Sequence, residues 1–295
     1  MRTIFLLLYL ILTFNVLAQI SSDFEIEGHR GARGLVPENT IPSFIKAIEL
    51  GATTVELDVV ISKDKKIVVS HDYWFSSVIS LDKDGNRIPV EKQKDFNLYQ
   101  MDYSEIKLYD VGSIGNKEFP EQEKMKVAKP LLKDVFKAVN NYTKKHKLRP
   151  VRINIEIKSG PQTDNIFHPP PATIAKMVYD EIFANKMEKQ VIVQSFDVRP
   201  LQELRKMPKQ LPLALLVGNK DGIEKNLELL GFLPDTYNPH FSLVDEQTVK
   251  FCHQKGMKII PWTVNEISDM EKMRNLKVDG IITDFPNRLV QILKK

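Results

Sequence analysis

Strand-then-helix patterns recur about eight times along the chain, and its 295 residues are enough for one closed barrel of such units, which takes about 250. The composition is that of an ordinary globular protein, with 42% hydrophobic and 27% charged residues. Together these observations predict an α/β fold, a TIM (β/α)8 barrel rather than an open, doubly wound sheet.

The elements follow in order. Phe24 to Gly28 reads as the first strand and ends at His29. Asn39 or Thr40 can cap a helix that runs through Leu50, with Gly51 as its stop. Thr53 to Ile61 is rich in β-branched residues and reads as the second strand; Lys66 to Ser70 is a further short one. Residues 72–128 are irregular, with a turn signal at Asp84-Gly85 and one or two helical turns over Ser104 to Tyr109. Pro130 to Lys147 is an amphipathic helix, followed by a strand over Val151 to Ile157. The beat is then regular: helix 172–187, strand 190–196, helix 198–206, strand 211–217, helix 222–230, strand 234–238, helix 245–255, strand 257–264, helix 266–275, strand 278–283 and helix 286–294.

The chain opens with Met1-Arg2 and an apolar run from Ile4 to Leu12, then Val16-Leu17-Ala18. This is the pattern of a secretory signal peptide over residues 1–18, cleaved after Ala18. The expected destination is secreted or periplasmic, with the barrel over residues 19–295. No other segment is apolar enough to span a bilayer, so no stable membrane span is expected after cleavage. Lys plus Arg is 42 and Asp plus Glu is 38, a net charge of +4. That balance is too mild for a nucleic-acid partner, and no basic stripe with interleaved aromatics is present. The single Cys252 excludes an intrachain disulfide and reads as core.

Chemistry-bearing residues fall at strand ends, where a barrel of this kind places its site. His29 and Arg30 close the first strand, Glu56 and Asp58 the second, and Asn154, Glu156 and Lys158 the strand after the long helix. Residues two apart on a strand share a face, so Glu56 pairs with Asp58, and Asn154, Glu156 and Lys158 line up. Spacing alone leaves open whether that face is the barrel interior or solvent. If it is the interior, buried unpaired carboxylates need compensation. An all-oxygen set suits a hard cation, Ca²⁺ or Mg²⁺, better than Zn²⁺. His29 and His71 can form a general acid–base pair near neutral pH, and Arg30 and Lys158 supply charge for an anionic substrate. A metal, two cations and two histidines suit a phosphodiester, whose transition state needs its oxygens neutralised. His146, His168, His240 and His253 read as structural. Asp82-x-Asp84 begins like a calcium loop but has Arg87 and Gln93 where the loop needs Gly and Glu.

In order along the chain stand His29-Arg30-Gly31, Pro37-Glu38-Asn39-Thr40, Glu56-Leu57-Asp58-Val59 and His71-Asp72. Then come Pro130-Leu131-Leu132, Asn154-Ile155-Glu156-Ile157-Lys158, Gln194-Ser195-Phe196-Asp197, Trp262-Thr263-Val264-Asn265 and Gly280 to Pro286. These motifs make up a resemblance to the glycerophosphodiester phosphodiesterase family. It implies a TIM barrel with a small insertion after the second strand, about residues 72–128. It further implies hydrolysis of a small-molecule glycerophosphodiester to glycerol 3-phosphate and an alcohol, with one divalent ion. His29 and His71 are then the acid–base pair, Glu56, Asp58 and Glu156 the metal ligands, and Arg30 and Lys158 the phosphate-binding residues. Trp262 packs near the substrate glycerol. Glu38 and Asn39 keep a structural reading, capping the first helix and holding the loop before it. Tyr73-Trp74-Phe75 and the proline-rich loop Ser159 to Ala172 depart from the family pattern and are expected to shape the alcohol pocket. Two other readings stand beside this one. One is a phospholipase D-like barrel enzyme acting on lysolipid or sphingolipid. The other is a non-catalytic phosphodiester-binding barrel.

Overall fold

In the computed structural model, which describes residues 24–294, the strands are apolar on the face that meets the helices. The leader expected over residues 1–18 lies outside the described residues. The elements are β1 (Glu25–Gly28), α1 (Ile41–Glu49), β2 (Thr54–Ile61), β3 (Ile67–Val69), α2 (Tyr103–Ile106), α3 (Leu132–Lys145) and β4 (Arg152–Ile157). Then follow α4 (Pro171–Ala184), β5 (Val191–Ser195), α5 (Val198–Arg205), β6 (Leu213–Val217), α6 (Ile223–Leu230) and β7 (Thr236–Pro239). The last are α7 (Glu246–Gln254), β8 (Lys258–Ile259), α8 (Ile267–Asn275), β9 (Gly280–Thr283) and α9 (Pro286–Leu293).

Eight strands are hydrogen-bonded in the order β8-β7-β6-β5-β4-β2-β1-β9, each pair parallel, and β3 pairs antiparallel with β2 off this path. The barrel is nearly closed. The strand expected over 257–264 forms a regular ladder with β7 only at Lys258–Ile259, because Pro239 of β7 has no N–H to give the Ile260 carbonyl, while Pro261 has none to give β9. The segment still meets β9: Ile282 N donates to Pro261 O at 2.9 Å and Val264 N to Ile282 O at 3.0 Å.

Alternation sorts the side chains. Val55, Leu57 and Val59 of β2 and Ile153, Ile155 and Ile157 of β4 join Phe44 of α1, Phe136 of α3 and Ile174 of α4 in one core. Each large side chain so buried stabilises the fold by about 1.5–3 kcal/mol. The intervening residues Glu56, Asp58, Asn154 and Glu156 are also buried, and they point into the barrel. The face that spacing left open is therefore the interior one. The β2–β4 register sets Glu56 beside Asn154 and Asp58 beside Glu156.

Thr40, rather than Asn39, caps α1, its hydroxyl accepting from Ser43 N. In α3 the buried residues Leu132, Val135, Phe136 and Val139 recur at helical spacing. This helix starts two residues later than expected, because Pro130 and Leu131 are held against β3: Val69 N donates to Pro130 O at 2.9 Å. Between β3 and α3 the chain builds a second small core. In it Phe75 stacks on Tyr109 at 4.1 Å between ring centroids, with Leu98 and Ile106 packed on Val60 and Val68. Cys252 is fully buried. Among the described residues no helix is long and apolar enough to cross a membrane.

Candidate active site

The turn after β1 is tight. Gly31 has φ +88°, and a Cβ there would lie 2.4 Å from Ser43 Oγ, so only glycine fits. Arg30 itself has φ 50° and Asn39 φ 57°, left-handed backbone that non-glycine residues rarely adopt and that clusters at functional sites. The turn aims Arg30 N at Glu56 Oε2, 2.8 Å away, and leaves the His29 ring at the mouth of the barrel.

His29 Nδ1 lies 2.7 Å from Asp284 Oδ1. A carboxylate only accepts, so Nδ1 carries the proton and Nε2 keeps its lone pair. Asp284 also accepts from Arg33 Nε at 2.7 Å and Nη2 at 2.9 Å, and from Asn265 Nδ2 at 2.7 Å. Against the effect of its burial, His29 and Arg33 hold that carboxyl well below the usual carboxylate range. Burial pulls His29 down from 6.5 to about 4, with Asp284 opposing it. The ring is therefore neutral at pH 7. An unfolded chain takes up this proton first as pH falls, so the stabilisation is full above about 6.5 and lost between 6.5 and about 4. It amounts to about 3 kcal/mol. Urea unfolding from pH 7 to 4 should show a steeper loss for the wild type than for His29→Asn; equal slopes would mean that the ring is not held neutral.

Glu56, Asp58 and Glu156 each offer an oxygen, and these atoms lie within 4.8 Å of one another. Burial and mutual repulsion push Glu56 and Glu156 up, whereas Lys158 and Arg30 keep Asp58 low despite its burial. Asn39 Nδ2 donates to Asp58 Oδ2 at 2.8 Å. Gln194 Nε2 donates to Glu56 Oε1 at 3.2 Å, and its own oxygen accepts from Asn154 and Asn238. Arg30 Nη1 binds Glu38 Oε1 at 2.8 Å, and its Nε is 3.4 Å from Asp58 Oδ2. Lys158 Nζ sits 2.6 Å from Glu156 Oε1 and 3.6 Å from Asp58 Oδ1. The capping role expected of Glu38 and Asn39 thus gives way to direct contact with Arg30 and Asp58.

His71 Nδ1 meets Asp72 Oδ1 at 2.9 Å. His29, Arg30, His71, Lys158 and Trp262 border one cleft of about 230 Å³ with Glu56 and Glu156; Asp58 lies behind Lys158. Trp262 donates from Nε1 to Asn238 O at 2.9 Å and meets Phe196 edge to face at 5.2 Å. Arg33 joins the site without having been singled out in the sequence, and Phe196 and Asp284, which stood in motifs with no role assigned, join it too. The signal for Asp284 was its place directly after an apolar strand, at the barrel's C-terminal end. The two departures from the family pattern pack against each other. Phe75 is buried in the insertion's core. Tyr73 stacks on Phe167 at 5.6 Å, and Trp74 meets the same ring edge-on at 5.4 Å. His168 is fully buried and bonded to the backbone of its own loop, where Gly160 N donates to Nε2 at 3.0 Å.

Comparison with known proteins matches residues 29–288 to the glycerophosphoryl diester phosphodiesterase family. A glycerophosphodiester phosphodiesterase from Caldanaerobacter subterraneus is 32% identical over 90% of this chain and 96% of its own. One from Bacillus altitudinis is 31% identical over 91% and 97%. The solved structure of a Silicibacter pomeroyi protein, provisionally named a glycerophosphoryl diester phosphodiesterase, superposes with a TM-score of 0.81 at 28% identity, covering 92% of this chain and 94% of that one.

Proposed function

Because the chain belongs to the glycerophosphoryl diester phosphodiesterase family, we propose that it hydrolyses small glycerophosphodiesters to glycerol 3-phosphate and a free alcohol, with one Ca²⁺ or Mg²⁺ on Glu56, Asp58 and Glu156. The observation that supports this most is convergence: three carboxylates, two histidines and two cations gather at one barrel mouth. The donor set fits a hard ion, since all three groups are buried oxygen ligands with no sulfur. Such an ion supplies positive charge to the phosphate oxygens.

Arg30 and Lys158 bind the phosphate. His29, neutral and held by Asp284, takes at Nε2 the proton of the glycerol hydroxyl beside the phosphate as that oxygen bonds to phosphorus and the bond to the alcohol oxygen breaks; water then opens the resulting cyclic phosphate to glycerol 3-phosphate. His71, held by Asp72, returns a proton to the leaving alcohol from the more open side; its side chain is 35% exposed against 13% for His29. Trp262 and Phe196 offer apolar surface for the glycerol carbons. The cleft of about 230 Å³ suits a small headgroup better than an acyl chain. The leader pattern over residues 1–18 supports a secreted or periplasmic location, which N-terminal sequencing of the exported protein would test.

Purified protein with Ca²⁺ or Mg²⁺, given a panel of glycerophosphodiesters and a lysolipid, should release glycerol 3-phosphate fastest from the former. Release of glycerol and a phosphorylated alcohol would mean that the other ester bond is cut and would overturn the assignment.

A further inference from the structure

Lys129 is a buried cation that none of the steps above uses. It is 6% exposed, and its Nζ donates to Ser70 Oγ at 2.9 Å from a position 5.4 Å over the Phe75 ring. Among the described residues no carboxylate pairs with it directly. Ser70 is fully buried, and its hydroxyl donates to the backbone oxygen of Asp72 at 2.6 Å. Asp72 in turn holds His71 Nδ1. The backbone of Lys129 is fixed from the other side, where Tyr103 Oη donates to its carbonyl at 3.2 Å. A buried ammonium with one hydrogen-bond partner is costly, and an apolar side chain of the same length would fill the space without that cost.

We propose that Lys129 is a positioning residue for His71: its ammonium, anchored on Ser70, holds the turn from Ser70 to Asp72 in the arrangement that presents the Asp72 carboxylate to His71 Nδ1. Against the effect of burial, His71 first and then the field of Lys129 hold the Asp72 carboxyl below its ordinary value. Asp72 stays ionised, so Nδ1 keeps its proton on that carboxylate and the proton given to the leaving alcohol is the one carried at Nε2 by the doubly protonated ring. The inference rests on the reading of His71 as the group that protonates the leaving alcohol.

Lys129→Met keeps the stem and removes the charge. Its kcat on an alkyl glycerophosphodiester should fall about 10- to 100-fold, the scale of outer partners that orient a reacting group. KM and affinity for the divalent ion should stay within about twofold, and Tm should not fall, because relieving a desolvated charge does not destabilise. With 4-nitrophenol as leaving group, which needs no protonation, most of the loss should disappear. Ser70→Ala should show the same loss of kcat and the same recovery with 4-nitrophenol, with a lower Tm because it leaves the buried ammonium without its partner, and the double variant should lose no more activity than either single one; should Lys129→Met not fold, Ser70→Ala carries the test. Wild-type kcat in the variant, additive losses, or an equal loss with both leaving groups would overturn the proposal. If His71→Ala is inactive on the alkyl substrate while Lys129→Met is not impaired, this inference alone fails. If His71→Ala stays active, the reading of His71 fails and the inference falls with it.

Discussion

Glu56→Gln, Asp58→Asn and Glu156→Gln should each weaken binding of Ca²⁺ or Mg²⁺ and lower turnover by more than the roughly 10–100-fold that outer-shell changes cause. Side chains two apart on β2 share the barrel interior, and the β2–β4 register brings Glu156 beside Asp58. Oxygens from the three groups lie within 4.8 Å of one another. Removing one carboxylate leaves an ion under-coordinated, and an amide oxygen replaces it poorly. The fold should survive each change, because the same buried charges repel in the ion-free protein and push Glu56 and Glu156 up. Calorimetric titration with the ion, beside circular dichroism, checks both halves. A Glu56→Gln protein that binds the ion as tightly as wild type would remove Glu56 from the ligand set. Ion binding should also raise Tm in the wild type, since it favours only the folded state, and that rise should shrink in all three variants.

His29→Ala and His71→Ala should each lower kcat by about two to four orders of magnitude, the usual range for general acid–base groups. Ion affinity should stay near wild type in both. The two losses should differ in kind. An activated leaving group needs no proton, so it should restore much of the rate to His71→Ala and little to His29→Ala. Asp284→Asn should resemble His29→Ala, because an amide can donate to Nδ1 and favour the wrong tautomer, and because Arg33 then loses its partner. Single-turnover assays with alkyl and nitrophenyl esters measure the distinction. Equal rescue of both histidine variants would contradict the division of roles.

Local pattern carried most of the architecture. β-Branched runs, a capping threonine and helical spacing in α3 are short-range signals, and they located nearly every strand and helix. β8 came out shorter than its apolar run because backbone pairing, unlike hydropathy, loses a donor at Pro239 on the β7 side and at Pro261 on the β9 side. The site was legible where its residues sit two apart on strands, as at Glu56, Asp58 and Glu156. It was not legible where partners meet across the fold. Asp284 reaches His29 from 255 residues away, and Glu38 and Asn39 read as helix-capping residues until the turn folded them onto Arg30 and Asp58. Around the aromatics after His71 the partners were again remote: Tyr73 and Trp74 pack on Phe167 of the proline-rich loop and Phe75 on Tyr109, contacts that no local pattern announces.

The most direct test is release of glycerol 3-phosphate from a glycerophosphodiester by the exhaustively chelated protein, before and after Ca²⁺ or Mg²⁺ is returned. The site as described predicts negligible turnover without the ion and recovery when either hard ion is added, with no recovery in Glu56→Gln at the same concentration. Full activity in the metal-free wild type would contradict it.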